Sequence, residues 1–392
     1  MRRIPRATAY YALIQALYWA IFCLMVGFAS VFLLDRGFTN SQIGLILGLS
    51  YLFSAVLQPV AGSVFSRRGV WLNRAIACVY LPVAVLSLCA GLLPLGKLPL
   101  AGMMAFIFTL QSMLQPSVNA LHQRFKTDGA PVDFGVARGV GSAAYALSSF
   151  LMGRLLTRFA PSILPLSYGV AVALMIVALM LAPVSASEGQ SEKGRGGSSY
   201  GEILKTHPHI ILFMLGVGCM FLTYSFIDSF LLQIITSIGG SSANLGTAIT
   251  LSAMTELPAM LLFSRLVRRG KGLRVFMLSI WFWLAKDVLT LLAPNPGTLY
   301  AVQLLNFFSC AVYVPGMMDY MRHVLPEAQL LRGATLAGTA TTLGSLLATI
   351  LGGWLMDAAG VRSALAIVQI FAACGAVMLT FALRNAIRQA RY

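Results

Sequence analysis

The chain has 392 residues, 58% hydrophobic and only 10% charged, whereas a soluble protein carries roughly 25% charged residues. Its net charge of +16 is spread over short loops rather than gathered in a basic domain, which argues against a nucleic-acid-binding module. Apolar runs near the ~20 residues needed to cross a bilayer as helix recur along the whole length, without the alternation of a membrane barrel, and predict an all-α polytopic membrane protein.

About twelve spans are expected from these runs. The first, residues 9–34, is too long for the core of a signal peptide and lacks a small-x-small cleavage site, so it reads as an uncleaved span. Its Tyr18, Trp19 and Gly27 are candidates to line the N-terminal half, with core packing the plainer role for the aromatics. Spans at 41–65, 75–95 and 98–121 follow. The last carries Gln111, Gln115 and Asn119 at helical spacing, amides suited equally to solute hydroxyls and to neighbouring helices. The fifth, 139–158, opens beside Arg138. Tyr145, two turns inward on the same face, offers a ring to the apolar face of a sugar or to an aromatic solute. An arginine at this boundary also reads as a snorkelling anchor.

After the sixth span, 163–183, a stretch rich in Ser, Gly, Glu and Lys at 185–207 reads as a flexible cytoplasmic linker. It separates a domain of residues 1–184 from one of 208–392. The second half has spans at 208–237, 243–264, 275–293, 297–321, 333–356 and 363–383.

Twelve residues are acidic, and three of them, Asp228, Glu256 and Asp287, lie deep inside apolar runs together with Lys286. A charge at bilayer depth costs at least ~2.5–3.5 kcal/mol on insertion scales, so these are functional candidates. Glu256 leads: a carboxylate there can bind solute or load and release a proton, and Pro258 frees a backbone carbonyl close by. A purely structural acid is the plainer alternative. Lys286 and Asp287 point about 100° apart on a helix. Lys286 is therefore expected to neutralise Asp228 or Glu256 across the bundle, as a structural ion pair or as part of a site.

Basic residues concentrate in alternate loops, such as Arg67, Arg68 and Arg74 or Arg265, Arg269, Lys271 and Arg274. This asymmetry predicts both termini on the cytoplasmic side of the inner membrane. The six cysteines fall in apolar runs without a CxxC and read as small buried hydrophobes. His122, His207, His209 and His323 lie at span ends. No metal-ligand spacing, Gly-x-Ser-x-Gly or Walker loop occurs, so no catalytic residue, metal or cofactor is expected and the chain does not read as an enzyme.

The halves repeat weakly. Leu57 to Arg74 and Leu257 to Arg274 both place Phe-Ser, Arg-Arg-Gly and a further Arg at similar offsets. Gly141 to Leu156 and Gly338 to Met356 are both rich in small residues. Two homologous halves around a midplane site are the plan of many secondary transporters.

Six plus six spans, a long central loop and basic loops after the second and eighth spans resemble the major facilitator superfamily. Gly62, Arg67 and Gly69 fit its loop motif, with Ser66 in place of the Asp. Phe134 to Gly153 and Met254 to Leu257 resemble the lactose permease and oligosaccharide–proton symporter branch. That resemblance implies sugar binding by Arg138 and Glu256, with Tyr145 at the stacking Trp position and Asn119 where the family keeps an acid. Asp228 matches a seventh-helix aspartate, and Lys286 lies near the ninth-helix arginine. The tenth helix departs from the family, offering Gln303, Asn306 and Ser309 and no carboxylate.

The resulting expectation is a secondary transporter, monomeric in the bilayer, for a sugar-like or other small organic solute. Alternating access with proton symport is the leading mechanism. Glu256, Asp228 and Asp287 are the proton-coupling candidates; Arg138, Tyr145, Asn119, Glu256, Lys286 and Asn306 are the solute-binding ones. Drug or metabolite efflux on the same fold, and a non-transporting sensor, are the alternatives.

Overall fold

The computed structural model describes residues 6–125, 132–185 and 200–389. They divide into two compact units, Met1–Ser191 with Leu245–Thr250, and Glu192–Asn244 with Leu251–Tyr392.

In the first unit α1 (Arg6–Phe22) runs through a π-helical turn, Cys23–Gly27, into α2 (Ala29–Asp35). Then come α3 (Asn40–Phe65), α4 (Leu72–Leu92), α5 (Lys97–Ala120), α6 (Phe134–Leu155) and α7 (Ile163–Leu181). The second unit contains α8 (Tyr200–Thr206), α9 (His209–Ser229), α10 (Leu231–Ser237), α11 (Ser242–Arg268) apart from its Leu245–Thr250 segment, and α12 (Gly272–Leu292). The chain continues through α13 (Pro296–Leu304), α14 (Tyr313–Val324), α15 (Leu330–Ala359) and α16 (Val361–Gln389).

Taking α1 with α2, α9 with α10 and α13 with α14 as single interrupted crossings, these helices follow the spans read from hydropathy. Among the described residues, 10 helices are long and apolar enough to cross a membrane. α6 is not one of them; it carries Arg138 and Arg154 within a run rich in glycine and serine.

Each unit repeats the same pairings. In the first, α1 packs on α6 and α7, and α4 on α7. In the second, α9 packs on α15 and α16, and α12 on α16. The repeated sequence segments end in the same way. α3 opens with a Thr39–Gln42 capping box and α11 with a Ser241–Asn244 capping box, which satisfy backbone donors at each helix start. Beyond their C-termini, Gly69 (φ 80°) and Gly270 (φ 68°) take the left-handed conformation that only glycine adopts without steric cost. The Arg-Arg-Gly repeat is thus the sequence trace of a helix stop.

The stretch expected as a flexible linker is only partly described, since residues 186–199 lie outside the described residues. Its end is helical. Ile203 of α8 is fully buried in the core of the second unit with Ile210, Phe213 and Phe276, so a hydrophobic anchor orders what composition suggested was loose.

The tenth crossing, expected as one helix, is broken. α13 gives way to a 3-10 turn at Leu305–Phe308, Ser309 adopts φ −117° and ψ −112°, and a second 3-10 turn at Cys310–Val312 leads into α14. Pro315 supplies a local cause: it has no N–H for the carbonyl of Ala311, and its ring crowds that carbonyl. Irregular backbone at membrane depth is tolerated where protein buries it or where it lines a cavity.

Candidate functional site

In the first unit a polar stripe on α1 organises the expected N-terminal residues. Tyr11, Gln15 and Trp19 follow one another at i, i+4 and i+8 and so share one face. Gln15, fully buried, donates through Nε2 to Asn119 Oδ1 at 3.2 Å and to the Tyr11 hydroxyl. Its Oε1 accepts from Trp19 Nε1 at 3.0 Å. The amide has partners on both its oxygen and its nitrogen, which fixes its orientation.

Trp19 then carries the charge. The Arg138 guanidinium lies 3.9 Å from the indole centroid, a cation–π stack, while Nη1 donates to Ser142 Oγ at 2.7 Å. Tyr145 meets the same indole edge-on, with centroids 6.3 Å apart. Trp19, Arg138, Tyr145 and Asn119 are all half-buried. Arg138 is therefore part of an aromatic and amide assembly rather than only a snorkelling anchor.

Close approach of α6 to α1 depends on Gly141. A Cβ there would lie 2.6 Å from Trp19 Cδ1 and 3.2 Å from the Gln15 carbonyl oxygen. Gln111, a candidate for solute hydroxyls, is engaged within the core instead: it is fully buried and accepts from the Tyr80 hydroxyl at 3.0 Å.

In the second unit the expected charges gather around the broken tenth crossing. The Cys310 thiol lies within electrostatic reach of Lys286, Glu256, Asp287 and Asp228. Lys286 is buried at 5% exposure and donates to Asn306 Oδ1 at 3.4 Å, while Asn306 Nδ2 donates to the Ser252 carbonyl at 3.3 Å. Ser252 lies one turn before Glu256 on α11, so Asn306 ties Lys286 to the Glu256 helix. No Asp228–Lys286 ion pair occurs among the described residues, and the two act on each other through the Coulomb field.

The three acids differ sharply in access. Asp228 is exposed, Glu256 half-buried and Asp287 2% exposed. One turn along α12 from Lys286, Trp283 sits among Phe221, Tyr224 and Tyr313, with ring centroids 5.5, 5.8 and 6.1 Å away. The Trp283 Nε1 and the Tyr313 hydroxyl are buried without hydrogen-bond partners among the described residues.

Sequence reasoning singled out the charges but not Gln15, Trp283 or Gln369. Gln369 of α16 donates through Nε2 to the Asp287 carbonyl at 3.1 Å. A glutamine inside an otherwise apolar run was the available signal for both amides.

A family model described as MFS_1 like matches residues 10–367. The chain belongs to the MFS_1 like family. This MFS_1 like protein is 23% identical over 358 residues to a maltose permease of Geobacillus stearothermophilus, covering 89% of this chain and 86% of that one. It is 25% identical over 194 residues to a probable 3-phenylpropionic acid transporter of Escherichia coli (strain K12), covering 48% and 49%.

Its fold is also that of a crystal structure of the nucleoside transporter NupG, with TM-score 0.77, 12% identity and 98% and 99% coverage. A bacterial homologue of the human lysosomal transporter Spinster matches with TM-score 0.68, 13% identity and 98% and 97% coverage. At such identities the structural likeness establishes fold alone. The MFS_1 like protein is a multi-pass membrane transporter of the major facilitator type, and not an enzyme.

Proposed function

We propose that this protein is a secondary transporter that moves a sugar-like or other small organic solute across the cytoplasmic membrane by alternating access, coupled to proton symport. The observation that carries the reading is the continuous assembly Asn119–Gln15–Trp19–Arg138, with Tyr145 on the indole edge. It combines a held cation, aromatic faces and an amide, groups that bind a polyhydroxylated or anionic organic molecule. Arg138, Tyr145 and Asn119 are the solute-binding residues of the first unit, and Glu256, Lys286 and Asn306 those of the second. Glu256, Asp228 and Asp287 form the coupling set. The protein works as a monomer in the inner membrane with both termini in the cytoplasm; the alternation of basic loops supports the orientation of the termini.

The likeness to a maltose permease over most of both chains supports a sugar-like solute. A second reading, an aryl carboxylate, is favoured by a guanidinium stacked on one aromatic ring with a second ring close by. The partial likeness to a 3-phenylpropionic acid transporter supports it.

Uptake of labelled maltose and of labelled 3-phenylpropionate into proteoliposomes, with and without an imposed proton gradient, tests both. Gradient-driven accumulation of either solute is the expected result. Arg138→Gln abolishes uptake of the carboxylate but only weakens uptake of the sugar. Accumulation that survives collapse of the gradient refutes proton symport. Exclusion of both solutes, together with drug resistance in expressing cells, points to efflux.

A further inference from the structure

Three carboxylates and one ammonium surround Cys310, so full ionisation leaves an excess of negative charge at membrane depth, where uncompensated charge is costly. Access separates the acids. Asp228 is exposed and Glu256 half-buried, whereas Asp287 is 2% exposed and its Oδ2 has no hydrogen-bond partner among the described residues. A second orphan lies beside it. Gln369, 8% exposed, is anchored through Nε2 on the Asp287 carbonyl at 3.1 Å, and the Oε1 of that same amide is buried without a partner.

Two buried acceptor oxygens, one on Asp287 and one on the amide that Gln369 anchors to the Asp287 main-chain carbonyl, are both satisfied by one hydrogen between them. We propose that Asp287 holds a proton on Oδ2 and donates it to Gln369 Oε1, making this pair the resting proton site of the transporter and Gln369 its positioning residue. The step is a simple addition: a proton from bulk solvent joins the carboxylate, and the neutral acid then donates to the amide oxygen.

The surroundings fit a proton better than a metal cation. α16 carries no charged side chain between Arg362 and Arg384, and α13 carries none at all. The neighbouring Lys286 acts on Asp287 directly, and from the other elements Asp228 of α9 and Glu256 of α11 reach the same Cys310 thiol that Asp287 reaches. Asp319, Arg322 and His323 of α14 belong to the far end of α12, where Asp319 abuts Gly272, about 22 Å away along the helix. A sodium ion takes several oxygen ligands, and the described orphans beside Asp287 supply two.

This assignment deepens the proton-coupled reading above, and its first readout needs no transport. Infrared difference spectra of the purified protein near neutral pH report a protonated carboxyl through a C=O stretch that shifts in heavy water. The wild type is expected to show that band, Asp287→Asn to lose it, Glu256→Gln to keep it, and Gln369→Leu to move it to higher frequency as the hydrogen bond is lost. A band that survives Asp287→Asn, vanishes only in Glu256→Gln, or is missing from the wild type overturns the proposal. Where Asp287→Asn fails to fold, an unmoved band in Gln369→Leu overturns it as well.

A second readout ties the site to coupling. Asp287→Asn is expected to retain solute counterflow while solute-driven proton movement is lost. If the wild type itself moves no protons with solute while the band behaves as described, proton symport falls and the acid–amide pair stands.

Discussion

Replacing Gly141 by alanine tests whether the N-terminal assembly is held by the closeness of α6 to α1. The new methyl would lie 2.6 Å from Trp19 Cδ1, against an ordinary contact of at least 3.4 Å, so the indole must retreat by about 0.8 Å, the difference of the two. It has little room to do so. Its Nε1 is bonded to Gln15 at 3.0 Å, and its ring packs against Tyr18 and Phe22 with centroids 5.5 Å away in each case. Overpacking of this kind costs ~1–3 kcal/mol. Loosening the Arg138 stack removes a further ~0.5–2 kcal/mol from the solute-binding geometry.

The expected outcome is a lowered thermal midpoint in detergent and a rise in uptake KM on the order of tenfold. Gly102→Ala is the matched control, because nothing lies within 4 Å of the Cβ it would add. If Gly141→Ala unfolds and transports as Gly102→Ala does, the Trp19 assembly is not held by this contact and the reasoning fails.

Arg138→Lys keeps the charge but loses the planar stack on Trp19 and the fork that grips a carboxylate, so uptake falls ~10-fold while folded yield is preserved; equal kinetics count against the stack. Lys286→Met leaves three acids without their cation and destabilises by ~3–5 kcal/mol, with partial recovery of folded yield when Asp228→Asn is added. Absence of recovery removes Asp228 as its electrostatic partner. Glu256→Gln deletes a charge-assisted hydrogen bond to solute worth ~1.5–3 kcal/mol, raising KM ~10-fold or more in uptake assays. Pro315→Ala restores a backbone donor for the Ala311 carbonyl, and transport falls with thermal stability unchanged or raised; unaltered transport shows that the break in the tenth crossing is not needed.

Much of the architecture was legible because the bilayer imposes a coarse rule, long apolar runs separated by polar breaks. Asp228, Glu256, Lys286 and Asp287 stood out because charge is costly at that depth, and the structure gathers all four around Cys310. Amides carry a far smaller penalty, so Gln15 and Gln369 gave only the weak signal of a glutamine in an apolar run until their partners on α5 and α12 were known. The broken tenth crossing escaped because Leu305 to Val312 are mostly apolar and hydropathy is blind to dihedral angles. Ser309, with φ −117° and ψ −112°, lies six residues before Pro315. α8 was missed for the opposite reason: a single buried Ile203 outweighs a polar composition.

Pro315 also bears on how the solute specificity of this protein can change. The Ala311 carbonyl that it leaves without its helical N–H is part of the main chain, and no side-chain substitution at position 311 alters its chemistry. Ala311 is 4% exposed, so this carbonyl is a fixed element of the fold. On the proposed solute-binding role of the Trp19, Arg138 and Tyr145 assembly, divergence in substrate range falls on the side chains of α1 and α6, where an exchange at Trp19 or Tyr145 leaves the main chain of the tenth crossing untouched. Directed evolution toward a new solute is best aimed at that face.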